Sequence, residues 1–500
     1  MMLRSGSQNA FLRGEPKWLM LLLFGLIAYF PLFLHFDSLP LRLWDETRLA
    51  WNAYEMMHNG KPFVTHFNGS PDMWNTKPPL LIWLEALSFA IFGPSEFSFR
   101  LPSIMAAFLT CYFLFRTISF NLVAPWMGLI AVVLLLTSEG YLTMHAARSG
   151  NYEALLALFM SLSVWSLFRW TNKKAPKDIL FFFLFTALAA LTKGIQGLLF
   201  LPGLFMFLVF DKNLLLLLRQ WKTYVGLAIF LFLVVGFYLL REHLNTGYLA
   251  AVWENEFAGR YGAVNEGHPG KWDYYIRLLI DYHFAQWWLL VPCGMVLGFA
   301  HKEPVMRRWC SLLSCAGGAY LLAISSAQTK LDWYAVPLYP VLAGLAALAI
   351  YVPFVWLYDL PGSLVRRQAA PLVFVLFIFL RPYSEVVARS CFPKELPWEE
   401  SYLACVHYLQ DLWRGRTDVH ANVVCYEWGH DEIDLYVQLI NDDKPTLVKK
   451  EKEDLLTGDR VYTVEHWVND FIEANYEVET LFSDHDVRVY LIKGKRNGTP

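Results

Sequence analysis

Eleven stretches of this chain each approach the roughly twenty apolar residues that an α-helix needs to cross a hydrocarbon core, where every backbone group must be bonded within its own segment. They lie near 18–36, 101–119, 122–141, 154–170, 178–193, 195–210, 222–241, 285–300, 310–327, 333–355 and 368–382. A shorter apolar stretch, 79–93, is expected to lie at the surface or to re-enter. The pattern predicts a mainly α, polytopic membrane bundle of about 11–13 transmembrane helices. Composition agrees, since 56% hydrophobic and 17% charged residues depart from the roughly one-quarter charge of ordinary soluble domains.

A formal net charge of −2, with no run of Lys and Arg interleaved with aromatics, excludes nucleic acid as a partner. The seven cysteines form no CxxC pair and no Cys/His set at zinc spacing, so no redox or metal reading follows from them. Arg4, Arg13 and Lys17 flank the first apolar run and no small-residue cleavage site follows it, as in a retained signal anchor with a cytoplasmic N-terminus. Basic clusters at Lys173/Lys174/Lys177, Lys212/Arg219/Lys222, Lys302/Arg307/Arg308 and Arg366/Arg367 all fall on one side of an eleven-span bundle. Positive residues are retained on the cytoplasmic side, so loops 37–100, 142–153 and 242–284 and the C-terminal tail are expected outside. The tail changes composition near 385. Alternating stretches at Asn422–Tyr426, Arg460–Val464 and Val487–Ile492, with helical patterns at Pro397–Trp413 and Val468–Asn475, predict a small α+β extramembrane domain over 385–500 after a membrane domain over 1–384.

Charge on the outer side is concentrated in a few motifs. Asp45-Glu46-Thr47-Arg48 opens a helical pattern that stops at Asn59-Gly60. The acidic pair either caps that helix and complements its dipole or works on a substrate. Lys77, before Pro78-Pro79, either snorkels or waits at a helix entrance for an anion. Arg148 and Glu153 lie at the lip of the next crossing, and Lys193 lies between two apolar helices, where an ammonium needs a partner. Loop 242–284 carries Glu256, Arg260 and His268, a mixture that also suits any solvated loop. Lys330 and Tyr334, four apart, are expected on one helical face.

Carboxylates Asp45, Glu46 and Glu153 with cations Arg48, Lys77, Lys193, Arg260 and Lys330, all beside lipid, fit an amphiphile with an anionic head. A lipid phosphate carrying a sugar meets that description. The phosphate leaves, the cations neutralise its charge, and a carboxylate takes the proton of the acceptor's nucleophile.

At these positions the sequence resembles the large-fold (GT-C) membrane glycosyltransferases that use polyprenyl-phosphate sugars, most closely the bacterial aminoarabinose transferases and related protein mannosyltransferases. The resemblance rests on Asp45-Glu46 with Arg48, Lys77-Pro78-Pro79-Leu80, Arg100-Leu101-Pro102-Ser103, Ala147-Arg148 followed by Glu153, Leu191-Thr192-Lys193-Gly194, Glu256/Arg260/His268, and Lys330 with Tyr334 and Pro337. It implies Asp45 as catalytic base, and Lys77, Arg260, Lys193 and Tyr334 as lipid-phosphate contacts. It further implies inversion at the sugar, residence in the bacterial inner membrane, and a glycolipid such as lipid A, another glycan or a protein as acceptor. Thr76 stands where aminoarabinose transferases usually have a glutamate, and Glu153 where many relatives have aspartate. The residues therefore give no support for a divalent metal, and no other cofactor is implied. The competing expectations are a polyprenyl-lipid transporter, which predicts polar groups at mid-membrane and repeated halves, and a noncatalytic assembly subunit, which leaves the Asp45–Lys77 loop without a role.

Overall fold

A computed structural model of the chain describes residues 17–142, 145–262, 267–395, 397 and 399–496. Two compact units result. The first takes in the chain up to Phe36, Asn52–Gly93 and Phe97–Phe392; the second takes in Asp37–Trp51, Pro94–Glu96 and the chain from Pro393 on.

The first unit is helical. Its main elements are α1 (Lys17–Phe33), the end of α2 (Asp45–Asn59), α3 (Leu80–Phe92), α4 (Glu96–Asn121), α5 (Pro125–Leu136), α6 (Tyr152–Lys173), α7 (Pro176–Lys193), α8 (Leu201–Phe210), α9 (Trp221–Leu244), α10 (Leu290–Phe299), α11 (Pro304–Ser326), α12 (Tyr339–Asp359) and α13 (Leu364–Cys391). Pro125, Pro176, Pro202, Pro304 and Pro340 sit in first turns, where the missing N–H has no intrahelical partner to lose. Among the described residues seven helical segments are long and apolar enough to cross a membrane, and α1, α3, α5, α8 and α10 are shorter apolar helices. The chain is thus a multi-pass membrane protein. The stretches expected at 122–141, 195–210 and 285–300 contain helices of 12, 10 and 10 residues. At 1.5 Å per residue these cover roughly half a hydrocarbon core.

α6 is the central helix, with 89% of its span buried, whereas α9 and α13, at 22% and 17%, turn mostly apolar surface outward to lipid. α6 packs on α7, α7 on α9, α10 on α12, α12 on α5, and α8 on α11. The last pairing needs a bare backbone: a Cβ at Gly203 of α8 would collide with the Cys315 carbonyl of α11. Between α2 and α3, β1 (His66–Phe67) pairs antiparallel with β2 (Ser70–Pro71) through Asn68-Gly69, both at positive φ as a tight hairpin requires.

In the second unit, α14 (Glu399–Trp413), α15 (Asp431–Asp443) and α16 (His466–Asn475) accompany a five-stranded sheet. Its strands are β3 (Val423–Val424), β4 (Val448–Lys449), β5 (Arg460–Thr463), β6 (Tyr476–Asp484) and β7 (Val487–Lys495), in the order β4-β3-β5-β7-β6. β3 runs parallel to β4 and β5, and β7 antiparallel to β5 and β6. Val423, Cys425, Val461, Val468, Ile472, Tyr490 and Ile492 fill the core. The α+β tail expected from sequence is present, and α15, β4 and β6 are additions to it. The tail also recruits distant chain. Arg42 pairs with Glu399 at 3.1 Å, Leu41 N–H donates to Tyr436 Oη at 3.1 Å, and Trp51 Nε1–H donates to the Asp431 carbonyl at 3.0 Å. Buried Glu96 accepts from Gln410, Tyr436 and Arg414 at 2.8, 2.8 and 2.7 Å.

Candidate active site

The first turn of α6 carries Tyr152 and Glu153, both buried. Glu153 forms an ion pair with Lys193, the last residue of α7 before Gly194 turns the chain at φ +53°. Lys193 is therefore not an isolated cation: its partner is an acid forty residues earlier. A buried pair of this kind holds only because each charge has the other, since removing either strands a charge in a poorly solvating medium. The Lys193 ammonium also lies 5.0 Å from the ring centroid of Tyr334, carried by the 3₁₀ turn Asp332–Leu338.

A second lysine reaches the neighbouring residue. Lys77 Nζ lies 5.7 Å from the Tyr152 ring centroid and 3.8 Å from Glu256 Oε1, which also accepts from Thr76 Oγ1 at 3.3 Å. Two cations from separate elements thus converge on consecutive residues at one helix N-terminus, where the N–H groups and the dipole already favour negative charge.

The loop holding Lys77 is fixed by residues that the motif reading passed over. Asp72 accepts the N–H groups of Trp74 and Asn75 at 2.9 and 3.0 Å and the Asn52 amide at 3.1 Å. Asn75 in turn donates to Asn52 and to Tyr152 Oη, each at 2.9 Å. Tyr248 Oη donates to the Thr76 carbonyl at 2.7 Å, and the Arg241 guanidinium lies 4.9 Å from the Tyr248 ring. Asp72 just after a hairpin, and an arginine in the last turn of an apolar helix, were the signals in the sequence.

Two other predicted cations bond to backbone carbonyls. Arg148 donates to the carbonyls of Pro31, Leu32 and Leu34 at 2.7, 3.2 and 2.6 Å. Lys330 is buried and donates to Ile324, Ser325 and Ala327 at 3.2, 2.6 and 2.5 Å, closing the C-terminal end of α11. Burial lowers its pKa from the usual lysine value. Lys330 precedes the 3₁₀ turn, so it does not share an α-helical face with Tyr334 as the spacing suggested. His268 is exposed, and its carbonyl accepts Lys330 N–H at 3.0 Å. The side chain of Arg260 lies outside the described residues.

Asp45, Glu46 and Arg48 belong to the second unit, on the first turn of α2. Asp45 is exposed. Glu46 is buried and accepts Arg42 N–H at 2.9 Å, a local capping contact. Arg48 acts electrostatically on Asp431, whose carboxyl pKa is nonetheless raised because burial and Glu432 outweigh it. Among the described residues no group of three or more His, Cys, Asp or Glu could hold a metal ion.

Residues 76–239, the stretch holding Lys77, Glu153 and Lys193, match the family described as dolichyl-phosphate-mannose-protein mannosyltransferase. The chain is 26% identical over 290 residues to an undecaprenyl phosphate-alpha-4-amino-4-deoxy-L-arabinose arabinosyl transferase of Pseudomonas fluorescens, covering 55% of this chain and 49% of that one. It thus spans about half the length of this curated relative. In three dimensions it is similar to ArnT from Cupriavidus metallidurans bound to undecaprenyl phosphate, with TM-score 0.66, 15% identity and coverage of 95% and 97% of the two chains. It is also similar to the oligosaccharyltransferase AglB from Archaeoglobus fulgidus in complex with an inhibitory peptide and a dolichol-phosphate, with TM-score 0.57, 12% identity and coverage of 97% and 75%. In fold the chain is similar to these membrane glycosyltransferases, and in sequence it is similar to the aminoarabinose transferases and, over residues 76–239, to the mannosyltransferase family.

Proposed function

We propose that the chain transfers a sugar from a polyprenyl-phosphate donor to an acceptor at the outer face of the bacterial cytoplasmic membrane. The observation that carries this reading is the convergence of Lys77 and Lys193 on Tyr152 and Glu153 at the start of α6. Two solved structures of similar fold are named with undecaprenyl phosphate and dolichol-phosphate, ligands of the same chemistry.

In the proposed step the acceptor's nucleophile attacks the anomeric carbon as the bond to the phosphate oxygen breaks. The nucleophile's proton passes to the Asp45 carboxylate, and the polyprenyl phosphate leaves as an anion neutralised by Lys77 and Lys193. Glu153 and Tyr334 hold the Lys193 ammonium in place, and the loop carrying Arg260 and His268 supplies a further cation. A single displacement inverts the anomeric centre. The acceptor is a glycolipid, another glycan or a protein.

The test is mass spectrometry of envelope glycolipids, polysaccharides and glycoproteins from cells with and without the chain. Loss of one sugar, restored by wild type and not by Asp45→Asn, is expected, with transfer by the purified variant lowered about 10²- to 10⁴-fold. An unchanged set of glycans, or normal transfer by folded Asp45→Asn, would remove the reading or its base.

A further inference from the structure

The second unit carries an exposed aromatic platform. Trp428 is 69% exposed and Trp467 38% exposed, with ring centroids 6.1 Å apart at 60°. His466 packs edge-on against Trp467 at 4.8 Å. Large indoles left in solvent cost free energy unless something covers them, and these two are held rigidly in that position. The N–H groups of Glu427 and Trp428 both donate to the buried carboxylate of Glu465, at 2.8 and 2.9 Å. The Glu427 side chain accepts the Trp467 indole N–H at 3.2 Å and pairs with Lys452, which ties the two ring-bearing segments together. Rigid aromatic faces rimmed by a carboxylate, an ammonium and an imidazole suit a ligand with one apolar C–H face and a ring of hydroxyls.

Position adds to chemistry. The loop that presents Trp428 continues into Asp431, whose carbonyl accepts the Trp51 indole N–H of α2 at 3.0 Å. That bond ties the residue three positions after Trp428 to the helix whose first turn bears Asp45.

We propose that Trp428 and Trp467 form a carbohydrate-binding subsite that holds a pyranose of the acceptor. The inference rests on the transferase reading for its role, and it narrows the acceptor to a glycolipid or glycan.

The purified full chain in nanodiscs would be titrated with a β-1,6-linked glucosamine disaccharide by saturation-transfer NMR, for wild type, Trp428→Ala/Trp467→Ala and Trp428→Phe. Undecaprenyl phosphate binding would be followed in parallel by native mass spectrometry. The expected result is transfer to the disaccharide ring protons, binding weakened at least about tenfold in the double variant and partly kept in the phenylalanine variant, with undecaprenyl phosphate binding unchanged. No binding by wild type, or equal binding by the double variant, overturns the subsite. Stronger quenching of wild-type than double-variant fluorescence by brominated phospholipids also overturns it, because the pair would then be a bilayer anchor. Failure of wild type to bind undecaprenyl phosphate strikes the transferase reading instead, and the disaccharide arm still decides the subsite.

Discussion

At the residue scale, Trp44 is the most unusual position near the proposed base. It is 84% exposed and sits at φ +63°, a conformation that costs a bulky L-residue free energy. Its carbonyl accepts Arg48 N–H at 2.8 Å, so the strained residue also starts α2. Trp44→Gly removes the Cβ conflict and loses little burial. It is expected to stabilise the fold by about 0.5–1 kcal/mol, read as a raised melting midpoint in detergent. Sequence reasoning found the charged residues but not their partners. The pairing of Glu153 with Lys193 joins positions forty apart and depends on how α6 packs against α7. Arg148 and Lys330 read in the sequence as cations at a membrane boundary, and such a cation needs an anion or a dipole. Backbone carbonyls supply that need here, and carbonyls carry no side-chain signature in a sequence.

At the scale of elements, helix packing in lipid depends on close backbone approach. A Cβ at Gly294 of α10 would collide with the Leu345 carbonyl of α12. Gly294→Ala is expected to destabilise by about 1–3 kcal/mol, measured as a lowered melting midpoint of the purified protein. The loop before α15 holds a titrating element. His430 lies 3.3 Å from Glu432 and 3.4 Å from Glu465, with Asp431 adjacent and the Tyr426 ring beside it, and hydrogen bonding to Glu432 raises its pKa above the usual histidine value. A raised folded-state pKa means stabilisation fully present below about pH 6.5 and lost as pH rises through the higher folded value. Melting of wild type should therefore fall more steeply than that of His430→Gln above pH 6.5. The His407–Glu395 pair, shifted in the same direction, contributes equally to both proteins. Identical slopes would show that His430 contributes nothing.

At the scale of the whole molecule, the second unit is assembled from three separated segments, and Glu96 is the joint. It is 1% exposed, accepts from Gln410, Tyr436 and Arg414, and arrives from the far end of the first long loop. Glu96→Ala removes the carboxylate partner of half-buried Arg414, whose guanidinium also donates to the Asp37 carbonyl at 3.1 Å. A loss of about 3–5 kcal/mol is expected, seen as faster proteolysis of the chain beyond Pro393. The sequence by itself determined the solvent, the helical class and the mixed α+β tail, because hydrophobic length and strand alternation are local properties that backbone hydrogen bonding converts directly into elements. Only the tertiary structure decided which charges meet at the start of α6, which are absorbed by carbonyls, and that the segment bearing Asp45 folds with a tail more than three hundred residues away. Those outcomes depend on packing between distant elements, and the pattern within any one segment is the same whichever partner it finds.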